Sequence, residues 1–189
     1  MRRHAQEIAK SVKYKKSGVL DLAAVLHDIG NLKNRDLHHL IGPDMIKADK
    51  KLNKEVAPQT LKAILNAVRS HRASDTATPP KSQLAKIVND ADRLDSTLGR
   101  ALVYRLKKFP NMKMDDAVLD AAKHHTGKYG PKGYGLKATY FPRTTKITRD
   151  SMVEINKAFS KKDVKKLTEI AQACNYYKSF IGKADKSPS

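Results

Sequence analysis

Along most of this chain apolar residues recur at spacings of three and four, the period of a helix with one buried face. Residues 2–14 form the first such segment, with Ile8 and Val12 on one side, ended by Lys15 to Gly18. Residues 19–29, VLDLAAVLHDI, are apolar nearly all round, which predicts a central buried helix stopped by Gly30. A charged link, NLKNRD, precedes a third segment over 37–52. Asp36 is its candidate cap, although Pro43 also fits a helix that starts near Gly42. Residues 59–72 carry Leu61, Ile64, Leu65 and Val68 at helical spacing, and the following ASDTATPPKS reads as a loop. Residues 81–107 predict one long helix striped by Leu84, Ile87, Val88, Ala91, Leu94 and Leu98 and stopped before Pro110. Shorter helical patterns follow at 114–125, 150–160 and 162–181. Between them, 126–149 is rich in Gly, Pro, Tyr and Lys and breaks the period, as an irregular loop or short hairpin would. The pattern predicts an all-α chain with one domain over 1–182, made of a core at 1–107 and a helical C-terminal extension. A disordered tail is expected over 183–189.

Composition narrows this picture. With no Trp and only 6% aromatic residues, the core must rest on aliphatic side chains, which favours helices over an aromatic-rich β sandwich. A single cysteine, Cys174, excludes an internal disulfide and a cysteine-based zinc site. No apolar run approaches the ~18 residues of a membrane span. The chain therefore reads as soluble and cytoplasmic, with no membrane partner. Its formal net charge of +19, from 38 Lys and Arg against 19 Asp and Glu, would attract phosphates of any kind. The same excess also fits lysines that serve only solubility.

Candidate chemistry begins at His27 and Asp28, a polar pair ending an apolar helix. Burying such a pair is costly unless something compensates it, and a divalent cation would. Taken alone, the pair fits equally a hydrogen-bonded helix end beside a surface charge. His4 lies 23 residues earlier, and Asp92 falls on the apolar stripe of the long segment beside Ala91 and Leu94, where a carboxylate needs a partner.

The order His, His-Asp, Asp, with LAAVLHDIG around the pair and KIVNDADRLDSTLGRALVYR around the last residue, resembles the HD superfamily of metal-dependent phosphohydrolases over roughly residues 1–107. In particular it is similar to the small stand-alone HD hydrolases of bacteria and archaea. The resemblance implies an HD-domain helical bundle whose metal ligands are His4, His27, Asp28 and Asp92, with Asp90 and Asp95 as supports or surface charges. His38, which opens HHLIGP, and His71, which ends LKAILNAVRSH, match positions that hold a second metal or a substrate phosphate in some members. The plainer reading is that His38 or His39 caps a helix and His71 orders the loop after it. Where many members carry Lys four residues after the histidine of the pair, this chain has Asn31. Lys33 or Arg35 is the candidate substitute there, and Lys33, Arg72 and Arg93 are the candidate phosphate contacts.

The activity so implied is hydrolysis of phosphoester or phosphoanhydride bonds in nucleotides by a metal-activated water. His27 and Asp28 would act at its centre and His71 would position phosphate or give a proton. The cofactor would be one divalent ion or two, drawn from Mn, Fe, Co, Ni, Zn and Mg. Two alternatives follow from the charge: a phosphodiesterase or nuclease acting on nucleic acid or cyclic and dinucleotides, and an inactive scaffold that binds nucleic acid. Residues 123–149 favour such a partner, with seven Lys or Arg, no Asp or Glu, and Tyr129, Tyr134, Tyr140 and Phe141 interleaved. A surface loop whose rings pack back on the helices explains the same composition.

Overall fold

The computed structural model describes residues 1–130 and 133–184, with only the backbone for 181–184. Among these the chain is helical and has no strand. Its helices are α1 (Arg2–Ser11), α2 (Ser17–Leu26), α3 (His38–Ala48), α4 (Lys50–Glu55), α5 (Pro58–Ser70), α6 (Gln83–Asp95), α7 (Leu98–Lys108), α8 (Met114–Tyr129), α9 (Pro142–Ser160), α10 (Val164–Gln172) and α11 (Asn175–Ala184). A 3₁₀ turn, Ile29–Leu32, follows α2. No described helix is long and apolar enough to cross a membrane. The chain divides into two compact units, the first Met1–Leu94 with Ala138–Thr144, the second Asp95–Lys137 with Thr145 onward.

In the first unit, α5 buries Ile64, Ala67 and Val68, and α6 buries Leu84, Ile87, Val88 and Ala91. Both sets follow the helical period, and both meet Ile8 of α1 and Leu20, Ala23 and Ala24 of α2 in one aliphatic cluster. Each large side chain taken from water there stabilises the fold by about 1.5–3 kcal/mol. In the second unit, Leu98, Leu102 and Val103 of α7 pack with Ala117, Val118 and Ala121 of α8 and with Leu167 and Ala171 of α10. Gly99 makes this approach possible, because a Cβ there would lie 2.4 Å from the Ala171 carbonyl oxygen.

Several boundaries differ from the sequence expectation. The long helix expected over 81–107 breaks after Asp95, and α7 restarts with Thr97 as its cap, its hydroxyl accepting the Arg100 N–H at 3.2 Å. The Asp-Ser-Thr run explains the break, since such side chains compete for backbone hydrogen bonds. The segment expected over 37–52 starts at His38, tolerates Pro43 inside, and ends before Asp49, which caps α4 through the Leu52 N–H at 2.9 Å. The helix expected over 162–181 is two, α10 and α11. Among the described residues the irregular region shrinks to 130 and 133–141, because α8 runs on to Tyr129 and α9 begins at Pro142, a residue suited to a first helical turn. The buried positions of α9 begin with Thr144 and Thr148, so its early apolar face was hidden from a hydropathy reading. Of the tail expected over 183–189, α11 takes 183 and 184, and 185–189 lie outside the described residues, as do Pro131 and Lys132 of the basic loop.

Candidate metal centre

His27 ends α2 and is buried. Its Nδ1–H donates to the Ala24 carbonyl at 2.9 Å, so the neutral ring presents a bare Nε2, which has no hydrogen-bond partner. That atom lies 3.4 Å from Oδ2 of Asp28 and 4.0 Å from Oδ1 of Asp92. After Asp28 the chain tightens into the 3₁₀ turn. Gly30, in that turn, sits directly against the start of α3, where a Cβ would fall 2.1 Å from the His38 carbonyl oxygen and 2.7 Å from its Cα. This contact, open only to glycine, brings His38 to Asp28, with Nε2 3.2 Å from Oδ1.

His71 arrives from the end of α5. Its Nε2 lies 3.5 Å from the same Asp28 oxygen and 3.0 Å from Nε2 of His38. Asn89 of α6 fixes the backbone here by donating to the His71 carbonyl at 2.9 Å. Both rings repeat the His27 pattern. His38 Nδ1–H donates to the Arg35 carbonyl at 2.6 Å, and His71 Nδ1–H to the Val68 carbonyl at 2.6 Å. A carbonyl can only accept, so in all three neutral rings the proton is on Nδ1 and the lone pair is on Nε2.

Those lone pairs and the Asp28 carboxylate converge as acceptors facing acceptors. Such a cluster is repulsive until a proton or a cation lies between its members. Asp28, His38 and His71 each offer one ligand atom within 4.8 Å of the others. Their separations of 3.0, 3.2 and 3.5 Å bracket the ~3.3 Å edge of a tetrahedron with 2.0–2.1 Å metal–ligand bonds. The two oxygens of Asp28 face different sides, Oδ1 toward His38 and His71 and Oδ2 toward His27. The donor set, the carbonyls that hold its imidazoles by their Nδ1–H groups and the His27 Nε2 without a hydrogen-bond partner thus fit a divalent cation.

Electrostatics agree with neutral imidazoles at His27 and His38 beside a carboxylate. Burial lowers the pKa of His27, against the opposing charges of Asp28 and Asp92. Burial also lowers that of His38. Burial alone would raise the Asp28 carboxyl, but the imidazoles of His71 and His27 beside it hold it below its usual range.

The other expected residues take varied places. Asp92 approaches His27 with one oxygen and pairs through the other with the buried guanidinium of Arg93. His4 stands in the first turn of α1, partly exposed, with Nδ1 4.0 Å from Glu7 Oε2; it is not in the three-residue set. Arg72 donates to the Asp36 carbonyl and, through Nε, to the Ser74 hydroxyl at 2.9 Å. Lys33 is exposed. Asp95 pairs with Arg100 in the second unit. Asp90 is fully buried on α6 and accepts the N–H groups of Tyr140 and Phe141 at 2.9 Å, which fastens residues 138–144 to the first unit. Burial outweighs those donors and raises its pKa to about 6.

Sequence reasoning gave no role to Asn89 or to the pair His39–Asp75. His39 Nε2 lies 3.2 Å from Asp75 Oδ2, and Asp75 also accepts from Arg69 and Thr78, each at 2.7 Å. Those donors, Arg69 first, hold its carboxyl well below the usual range. The network ties α3 to the loop after α5 and settles which of two adjacent histidines does what: His39 faces Asp75, and His38 faces Asp28. Neither residue lies on a periodic stripe that a sequence reading follows. In the basic loop Tyr129 is buried, Phe141 packs on the first unit's core, and Tyr140 lies under the Lys86 ammonium at 5.6 Å; Tyr134 is 39% exposed.

A family model described as HD domain matches residues 1–97. The chain belongs to the HD domain family. This HD family is in general one of metal-dependent phosphohydrolases, and its all-helical fold is the one seen here. No curated protein and no solved structure matches the chain.

Proposed function

We propose that this HD protein is a metal-dependent phosphohydrolase that cleaves a phosphoester or phosphoanhydride bond of a nucleotide. The observation that supports it most is the Nε2-to-Nε2 approach of His38 and His71 beside Asp28, a donor cluster that calls for a cation. His27, Asp28, Asp92, His38 and His71 would hold one ion or two, and the sequence order His, His-Asp, Asp adds His4 as a further candidate ligand. When bound, such an ion supplies Lewis-acid activation of water and neutralises charge on the phosphoryl oxygens.

The chain's own residues would do the rest. Asp28 offers an oxygen to each side of the cluster, which suits it to bridging. The carbonyls of Ala24, Arg35 and Val68 keep each imidazole in the Nδ1–H tautomer. His71 has its proton committed to Val68, so we assign it to holding the ion rather than to giving a proton. Arg72, anchored beside the His38 end of α3, is the basic group best placed to meet a substrate phosphate, with Lys33 as an exposed second. Arg93 is assigned instead to orienting Asp92. The net reaction forms a P–O bond from water, breaks the P–O bond to the leaving group, and passes the water's proton to that group.

The test is phosphate release from nucleoside mono- and triphosphates by the full chain, screened across Mn, Fe, Co, Ni, Zn and Mg. Metal-stimulated release that chelator abolishes and that His27→Ala with Asp28→Ala removes, with helix content kept, supports the proposal. Full activity in that double variant contradicts it. Cleavage of cyclic dinucleotides or strands with no release from mononucleotides would favour the phosphodiesterase reading.

A further inference from the structure

The second unit carries a ribbon of exposed rings and cations that shares no residue with the metal centre. On α7, Arg100, Tyr104, Lys107 and Lys108 fall at i, i+4, i+7 and i+8, one helical face. On α11, Tyr176 and Phe180 fall four apart. The two stripes meet. The Arg100 guanidinium lies 5.8 Å from the Tyr176 ring centre, and the Lys107 ammonium 5.5 Å from that of Phe180. Along the same strip Arg105 lies 5.9 Å over Tyr104, and Lys108 lies 5.4 Å over Phe109. Tyr104, Phe109 and Tyr176 are 37%, 39% and 47% exposed, so each ring offers surface to a partner. Neither helix contains an acidic residue. Asp95 and Asp120 neutralise Arg100 and Arg105 from outside the helices, which leaves Lys107, Lys108 and Lys178 to set the local field.

We propose that this face of α7 and α11 binds single-stranded nucleic acid, its lysines meeting phosphates and its rings stacking on bases. The positive charge selects a polyanion. The exposed rings select one whose bases are unpaired, because a duplex hides the base faces that stacking needs. An acidic membrane would satisfy the charge equally. It would call for a continuous apolar face to insert, whereas here the rings are each flanked by a cation. The basic loop is the poorer platform, since Tyr129 is buried and Phe141 packs against the first unit's core, which leaves Tyr134 as its exposed ring among the described residues.

The test is binding of a labelled oligo(dT) strand to the full chain by anisotropy across a salt series. Replacing Lys107 and Lys108 with Gln should lower the slope of log K against log salt by about 1.4, at ~0.7 for each lost phosphate contact on a single strand. Tyr104→Leu with Tyr176→Leu should weaken binding at fixed salt by at least about fivefold and leave the slope unchanged. Lys50→Gln with Lys51→Gln on α4 removes equal charge elsewhere and should change neither. The chain has no Trp, so quenching of tyrosine emission on strand addition reads stacking in the unsubstituted protein as well. The proposal is overturned if the α4 pair weakens binding as much as the α7 pair. It is also overturned if the tyrosine variants bind normally without quenching in the parent, or if the protein binds acidic vesicles and no strand.

Discussion

His38 and His71 meet Nε2 to Nε2 at 3.0 Å, and in their neutral forms neither nitrogen carries a proton, because each ring has committed its Nδ1–H to a carbonyl. A cation between them would turn a repulsive contact into two bonds. Divalent ion at 100 times its Kd should therefore stabilise the fold by about 2.7 kcal/mol, or roughly 5–10 °C in Tm for a chain of this size. Thermal melts with and without chelator check this, and the shift should vanish in Asp28→Ala. An unchanged Tm with every divalent ion would count against the centre.

Gly30 controls the same site from the backbone. An added Cβ meets the His38 backbone at 2.1 Å, and neither the carbonyl nor the Cα can swing aside as a flexible side-chain end could. Gly30→Ala should cost about 3 kcal/mol or move α3, and metal affinity should fall with it. Gly18→Ala, where no atom lies within 4 Å of the added Cβ, is the matched control and should leave both metal affinity and the His38 site unchanged. Denaturant midpoints and metal titrations of the two variants separate the effects.

The fold class and the central pair were legible because they rest on local signals. The apolar run before His27 marks a buried helix end, and the stripe of α6 places Asp92 on its inner side. The His38–His71 contact was visible only as two residues of the right type. Their 33-residue separation is closed by a glycine contact and by the His39–Asp75 network, neither of which has a periodic signature. The break at Ser96 and Thr97 was written in capping residues but masked by an apolar stripe that continues past it into Leu98.

His125 of α8 gives the second unit its own pH dependence. It is buried against the Tyr129 ring, with centroids 4.7 Å apart, and burial, helped by Lys128, pushes its pKa down to about 4. The unfolded chain protonates near 6.5 while the folded one does not. This contribution to stability is complete above pH 6.5 and falls as pH drops toward 4, by about 3 kcal/mol in all. Unfolding midpoints measured between pH 7 and 4 should fall less steeply in His125→Gln than in the parent. Parallel curves would show that His125 does not carry the effect.

Direct titration of the metal-free chain with Mn, Co or Zn, followed by calorimetry and by elemental analysis of the loaded protein, tests the central claim most closely. The expected result is saturable uptake of one or two ions per chain that is lost in His27→Ala with Asp28→Ala and weakened at least about tenfold in His38→Ala and His71→Ala, all with parental helix content. Uptake that survives the double variant, or no uptake by the parent protein, would contradict it.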